Sequence, residues 1–216
     1  MKKLFLLIFC FLVSPVLAQN AMPFCTAMTT RVHVRTHPGN PQYITQYSKE
    51  DFLKKTNSTL SPYTLGLTVS KLDVILNTKP QINELLGQIC VSLDDVDIEM
   101  TYPSMTVYID KKYQPSSCEY KTIKEHENYH VAVAQQALTF FRPDIEKAAM
   151  QAISKLAPKI VYSQTEVAPV VEKFHRAINN ALQPVVTHIN KKLAEKNAAI
   201  DTPQMYQETT AVCDNW

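Results

Sequence analysis

The residues with the strongest claim to chemistry are His126, Glu127 and His130, set in the run His126-Glu127-Asn128-Tyr129-His130. On an α-helix, side chains four apart share one face, a turn above one another. Two imidazoles so placed can grip a single ion, and nitrogen donors suit zinc. Glu127, one position along, projects beside such an ion rather than at it. Its carboxylate can take the proton of a water whose pKa zinc lowers toward neutrality, then hand that proton to a leaving amine. The pattern points to hydrolysis, with His126 and His130 as metal ligands and Glu127 as catalytic base. Two histidines satisfied by packing beside an unrelated glutamate are the plainer alternative, and a third ligand separates the two.

A catalytic zinc centre takes three protein ligands and keeps one position open. The downstream candidates are Glu146, Glu166, Glu172, His175, His188, Glu195 and Asp201. If the chain forms a long helical hairpin turning near Ile160, residues equidistant from the turn face one another. His130 then looks across to about Asn190. That favours His188 first, then Glu195, with Asp201 reachable from the segment beyond. Glu146 and Glu172 fall near the turn. His188 also flanks an apolar stripe at Val185 and Ile189, where a hydrogen bond to a carbonyl is an equally simple role. Tyr129 or Tyr206 could donate to an oxyanion, although packing suits Tyr129 better. His33 and His37 flank a strand end and read as solvated.

The elements that must position these groups are written in the apolar periodicity. Ser116-Ser117-Cys118-Glu119 is a capping box with Ser at the N-cap and Glu three residues on. It opens a helix through the motif to about Phe141, where Pro143 kinks or breaks it before Ile145 to Leu156 resumes helical spacing. Ser163-Gln164-Thr165-Glu166 opens a return helix with Val167, Val171, Phe174, Ile178, Leu182, Val185, Ile189 and Leu193 on one stripe. Pro184 bends it. Upstream, Val96, Ile98 and Met100, then Met105, Val107 and Ile109, alternate with polar residues about Tyr102-Pro103-Ser104, as in a hairpin. Earlier segments predict a strand over Arg31 to Arg35, a helix capped by Ser48, and a strand from Thr64 to Val69 that Gly66 weakens. Pro80 suits the first turn of a short helix ending near Gly87. The fold class is α+β: a small antiparallel sheet, a long helix bearing the motif, and a return helix.

Residues 1–18 read as a signal peptide, with Lys2 and Lys3 before an apolar run and Val16-Leu17-Ala18 at the cleavage point. Residues 19–216 then form one domain. Cleavage leaves 20 basic against 20 acidic residues, so no basic field exists to draw nucleic acid. No transmembrane segment follows the leader, and three glycines in the whole chain exclude phosphate-cradling loops. Cys25, Cys90, Cys118 and Cys213 suit two disulfides in an exported chain. Of three connectivities, Cys90–Cys118 bracketing the hairpin and Cys25–Cys213 tying the ends is favoured. Their wide spacing argues against a cysteine-rich zinc cluster.

The His-Glu-x-x-His helix beneath a sheet resembles the zincin metallopeptidases. That resemblance implies a zincin-like domain with Zn2+ as cofactor, and an edge strand that binds the substrate backbone, here Met105 to Ile109. Metzincins continue with a glycine and a third histidine, where this chain has Val133 and Gln136. The layout over about residues 65–210 is also similar to a bacterial family of putative secreted zinc-dependent proteases. It shares Cys90 before a strand, the motif helix, a long return helix and the Asp-containing segment Ala198-Ala199-Ile200-Asp201-Thr202. Tyr206 stands where that family normally carries a histidine. The expectation is therefore a periplasmic or secreted zinc metallopeptidase acting on peptides or proteins of the cell envelope. The alternative is a non-enzymatic, disulfide-braced envelope protein with a degenerate or structural metal site.

Overall fold

Alternating apolar residues build two small mixed sheets, and two long amphipathic helices cover them; the computed structural model describes residues 24–26, 29–57, 64–214 and 216. The leader expected at residues 1–18 lies outside the described residues. Strands β1 (Arg31–His37), β4 (Asp73–Leu85) and β5 (Gln88–Thr101) form the first sheet in the order β1-β5-β4. A short β7 (Lys159–Val161) extends the β1 edge of β5, pairing with Ile89 to Val91. The second sheet has the order β2-β6-β3, from Pro41–Ile44, Met105–Ile109 and Gly66–Ser70. The fold is α+β, with each sheet combining parallel and antiparallel neighbours rather than one purely antiparallel sheet.

Both strands of the expected hairpin form, but they do not pair with each other. β5 belongs to the first sheet and β6 is the central strand of the second. Between them Tyr102 N–H donates to the His37 carbonyl at 3.3 Å, carrying the chain from one sheet to the other. Tyr102-Pro103-Ser104 lacks the left-handed residues that a tight two-residue hairpin needs. Those residues occur at Leu86 and Gly87, with φ of 51° and 75°, and there the chain does reverse, joining β4 to β5. The short helix expected from Pro80 is accordingly strand. Pro80 lies on an edge strand at a register shift after Lys79, where a missing N–H breaks no ladder.

Helix α2 (Cys118–Ile153) runs 36 residues, about 54 Å. Its N-cap is Ser117, which accepts from Tyr120 N–H at 3.1 Å, one residue later than the capping box suggested. Pro143 lies within α2 without ending it, because Ile145 and Ala149 beyond it stay fully buried and hold the second half on the core. After β7, Glu166 Oε2 accepts from the N–H groups of Tyr162 and Ser163 and α3 (Val167–Ile200) begins. The expected stripe faces inward: Val167, Phe174, Ile178, Leu182 and Ile189 are buried against Leu138 and Ile145 of α2 and the apolar face of the first sheet. Pro184 is likewise absorbed within α3. A last helix, α4 (Pro203–Thr210), follows a sharp corner. The early helix α1 (Lys49–Thr56) has Ser48 as its N-cap and buries Phe52 against Tyr108.

The disulfides are Cys25–Cys90 and Cys118–Cys213, not the pairing favoured above. Cys90 stands near the β4 turn, eleven residues and about 36 Å of strand from Thr101. Cys118 opens α2, beyond the opposite end of β5, so the two cannot meet. Instead Cys118 takes Cys213, which α4 brings back to the start of α2. Among the described residues no helix is long and apolar enough to cross a membrane.

Candidate metal centre

His126, Glu127 and His130 occupy one buried stretch of α2, at 4, 2 and 8 % exposure. The Nε2 atoms of His126 and His130 stand 3.2 and 3.1 Å from Oδ1 of Asp201, and the three donors could hold a metal ion. Two ligands about 2.05 Å from a tetrahedral zinc lie about 3.3 Å apart, so the donor set fits the ion in spacing as well as in type. Asp201 is placed by the corner: its N–H closes α3 on the Asn197 carbonyl at 3.1 Å, and Thr202 then caps α4.

The groups behind the donors fix their direction. His130 Nδ1 lies 3.0 Å from Asn197 Oδ1; with the proton on Nδ1 toward that amide oxygen, Nε2 would be free to ligate an ion. The Tyr206 hydroxyl donates to Asp201 Oδ1 at 2.8 Å, and its ring lies 5.2 Å from that of His126. Burial pushes the Asp201 carboxyl up, but hydrogen bonds from both imidazoles and from Tyr206 outweigh it and hold Asp201 well below the usual carboxylate range. For His130 burial favours the neutral ring, yet Asp201, Asn197 and Glu127 together raise its pKa. Burial, with the Asp201 bond, raises the Tyr206 phenol and keeps it a donor.

Glu127 is held from the other side. Thr68 Oγ1 of β3 donates to Glu127 Oε2 at 2.8 Å. Burial raises the carboxyl above its ordinary value, against the pull of His130, Thr68 and His126. Gly66 explains itself here: a Cβ at that position would stand 2.7 Å from Glu127 Oε1 and 2.9 Å from its Cγ. The residue that weakened the strand as a sequence is the one that lets β3 lie against the helix. Across the sheet, the Tyr43 hydroxyl of β2 donates to Asn128 Oδ1 at 2.6 Å, and Lys124 places its ammonium over the Tyr43 ring. Both edge strands are thus fastened to the motif turn. Met105 to Ile109, expected as the edge, is the central strand with both neighbours in place. The edge beside Glu127 is β3.

Among the candidates for third ligand, Asp201 alone joins the histidines. His188, ranked first, packs edge-on to Phe141 with centroids 6.1 Å apart. Glu195 is bound to Lys192 at 2.7 Å, Glu172 faces Arg176, and Glu166 accepts from the N–H groups of Tyr162 and Ser163. Glu146 lines a surface recess with Arg142, and His175 lies outside the cluster. The equidistance argument failed because the connection is not a tight turn. It runs along β5 as β7, and although α2 ends at Ile153 and α3 starts at Val167, the two helices are staggered, so His130 meets Asn197 rather than about Asn190, an offset of two helical turns, about 10 Å. Tyr129 is half exposed at 53 %, and His33 and His37 face Asp95 and Glu99 on the surface. The supporting groups Thr68, Asn197 and Gly66 were not anticipated. Asn197 carried one usable signal, since it precedes Asp201 by four residues and so shares its helix face.

Fold and site together define a two-histidine, one-carboxylate group that could hold a metal ion, on an α+β scaffold braced by two disulfides. No family model, curated protein or solved structure matches the chain.

Proposed function

We propose that the protein is an exported zinc metallopeptidase of the zincin kind, with Glu127 as catalytic base. The observation that carries this reading is the convergence of His126 Nε2, His130 Nε2 and Asp201 Oδ1 beside the buried carboxylate of Glu127. Three donors suit a catalytic zinc with one open position, whereas structural sites close with four. That count supports an enzyme over a disulfide-braced envelope protein with a structural metal. When bound, zinc lowers the pKa of a water at the open position and polarises the scissile carbonyl.

The chain's own groups supply the rest. His126, His130 and Asp201 hold the ion, Asn197 keeps His130 in the right tautomer, and Tyr206 orients the carboxylate. Glu127, with Oε2 held by Thr68, takes the proton of the attacking water and returns it to the leaving amine. β3 offers an edge to an extended peptide beside that carboxylate. The two disulfides support an oxidising compartment such as the periplasm or the exterior.

The test begins with metal analysis of the purified chain, which also separates zinc from iron(II), the other ion that favours two imidazoles and a carboxylate. One zinc per chain and hydrolysis of fluorescent casein are expected. Glu127→Gln keeps the zinc and lowers hydrolysis about 10²- to 10⁴-fold. A chain that purifies without stoichiometric metal, or a Glu127→Gln variant as active as the parent, ends this reading.

A further inference from the structure

Beyond His130, a cavity of about 340 Å³ opens between α2 and α3. Its α2 wall is mostly apolar, with Val133, Ala137, Phe140 and Phe141 around the single polar residue Gln136. Ala137 is too small to reach across, and Phe140 turns outward, 74 % exposed. An aromatic ring that large is ordinarily buried, so its exposure at the mouth of a cavity marks a surface awaiting contact. The α3 wall differs in kind. Leu193 continues the apolar lining, but Lys192 and Lys196 stand along it with His188. Lys192 is neutralised by Glu195 at 2.7 Å, while Lys196 is exposed and has no ion-pair partner among the described residues.

We propose that this groove binds a single-chain amphiphile with an anionic head, a long-chain carboxylate, its tail along Phe140, Phe141 and Leu193 and its head at Lys196. The volume lies at the small end of ligand sites, enough for one apolar chain and too little for a folded segment. Charge decides the rest. Lys196, exposed and without an ion-pair partner among the described residues, complements a carboxylate head at the mouth of the apolar lining. The site is separate from the metal centre: none of its lining residues is a metal donor, and the inference stands whether or not the chain hydrolyses peptides.

The test is calorimetric titration of the purified full chain with dodecanoate, kept below its micellar concentration, with dodecyl maltoside as the uncharged control. Saturable binding of one dodecanoate per chain is expected, with dodecyl maltoside at least tenfold weaker. Lys196→Glu and Phe140→Ser each weaken dodecanoate at least tenfold. Both positions are exposed, so melting temperature and circular dichroism stay as in the parent. No saturable binding, equal affinity for the uncharged detergent, or affinity untouched by both substitutions overturns the proposal. So does sedimentation showing a dimer that Phe140→Ser abolishes, which would make the groove an interface between copies.

Discussion

Replacing Gly66 with alanine puts a methyl group where Glu127 now lies. The new carbon would stand 2.7 Å from Oε1, 2.9 Å from Cγ and 3.0 Å from Cδ of that side chain. Ordinary carbon contacts need about 3.5 Å, so Glu127 or β3 must give by about half an ångström or more. A flexible side-chain end could swing aside, but this one is 2 % exposed and tied to Thr68 at 2.8 Å. Overpacking of this kind costs about 1–3 kcal/mol. The lost glycine freedom offsets about 0.4–1 kcal/mol of that, since Gly66 is not among the glycines with positive φ. The net expectation is a loss of about 0–2.5 kcal/mol, a drop of at most several degrees in Tm. Metal affinity should change little, because no donor touches the methyl. Casein hydrolysis, under the function proposed, should fall about ten- to a hundredfold from misplacement of the base. Differential scanning calorimetry, a metal-competition titration and the casein assay read these separately. A Gly66→Ala chain that melts no lower than the parent and hydrolyses as fast would refute the close packing of β3 on Glu127 and the role given to that carboxylate.

The groups behind the donors should matter to the ion. Asn197→Ala and Tyr206→Phe are each expected to weaken metal binding about 10–100-fold, and Asp201→Ala more; a chelating dye in competition measures all three, and unchanged affinities would remove Asp201 from the site. The Cys118–Cys213 bridge spans 95 residues of sequence, worth about 4–5 kcal/mol by loop entropy. The double serine variant should therefore melt well below the parent and, having freed the corner after α3, bind metal more weakly; normal metal affinity would show that the bridge does not position Asp201. Glu166 accepts backbone N–H groups of Tyr162 and Ser163, which holds its carboxyl below the ordinary value. Its folded pKa is depressed, so its contribution is present above the unfolded value of about 4.3 and fades as pH falls through the folded one. The gap in Tm between parent and Glu166→Gln should accordingly be widest near neutral pH and narrow as the medium is acidified below the ordinary carboxylate range; a gap independent of pH would mean the cap acts without its charge.

Local signals in this chain were legible and non-local ones were not. The motif helix, the return helix with its stripe, the Ser48 cap and the strand alternation all follow from neighbours within a few residues, and all are present. Pro143 reads as a kink or break because local rules price the missing hydrogen bond but not the burial of Ile145 beyond it. Pro80 illustrates an ambiguity of another kind: a first helical turn and an edge-strand bulge tolerate proline for the same reason, the absence of a partner for its N–H. Strand partners and disulfides depend on where distant segments come to rest. Tyr102 and Cys90 carry no mark of that. For the site, His126, Glu127 and His130 could be named from spacing, whereas Asp201 required knowing how far α3 is staggered along α2. Thr68 and Gly66 reach Glu127 from a strand 59 residues away at the hydroxyl contact, across a fold that spacing does not encode.

The corner between α3 and α4 also sets an order of events in time. His126 is made 75 residues before Asp201, a lag of about 4–15 s at ordinary translation rates. Through that interval the growing chain offers a passing ion only two imidazoles, a grip too weak to keep it. Tyr206 and Cys213, which secure the carboxylate and its corner, come later still. Under the function proposed, capture of the ion is thereby postponed until the second long helix exists and its far end has been stapled back to the first. Metal loading, under that function, would double as a certificate of completed folding.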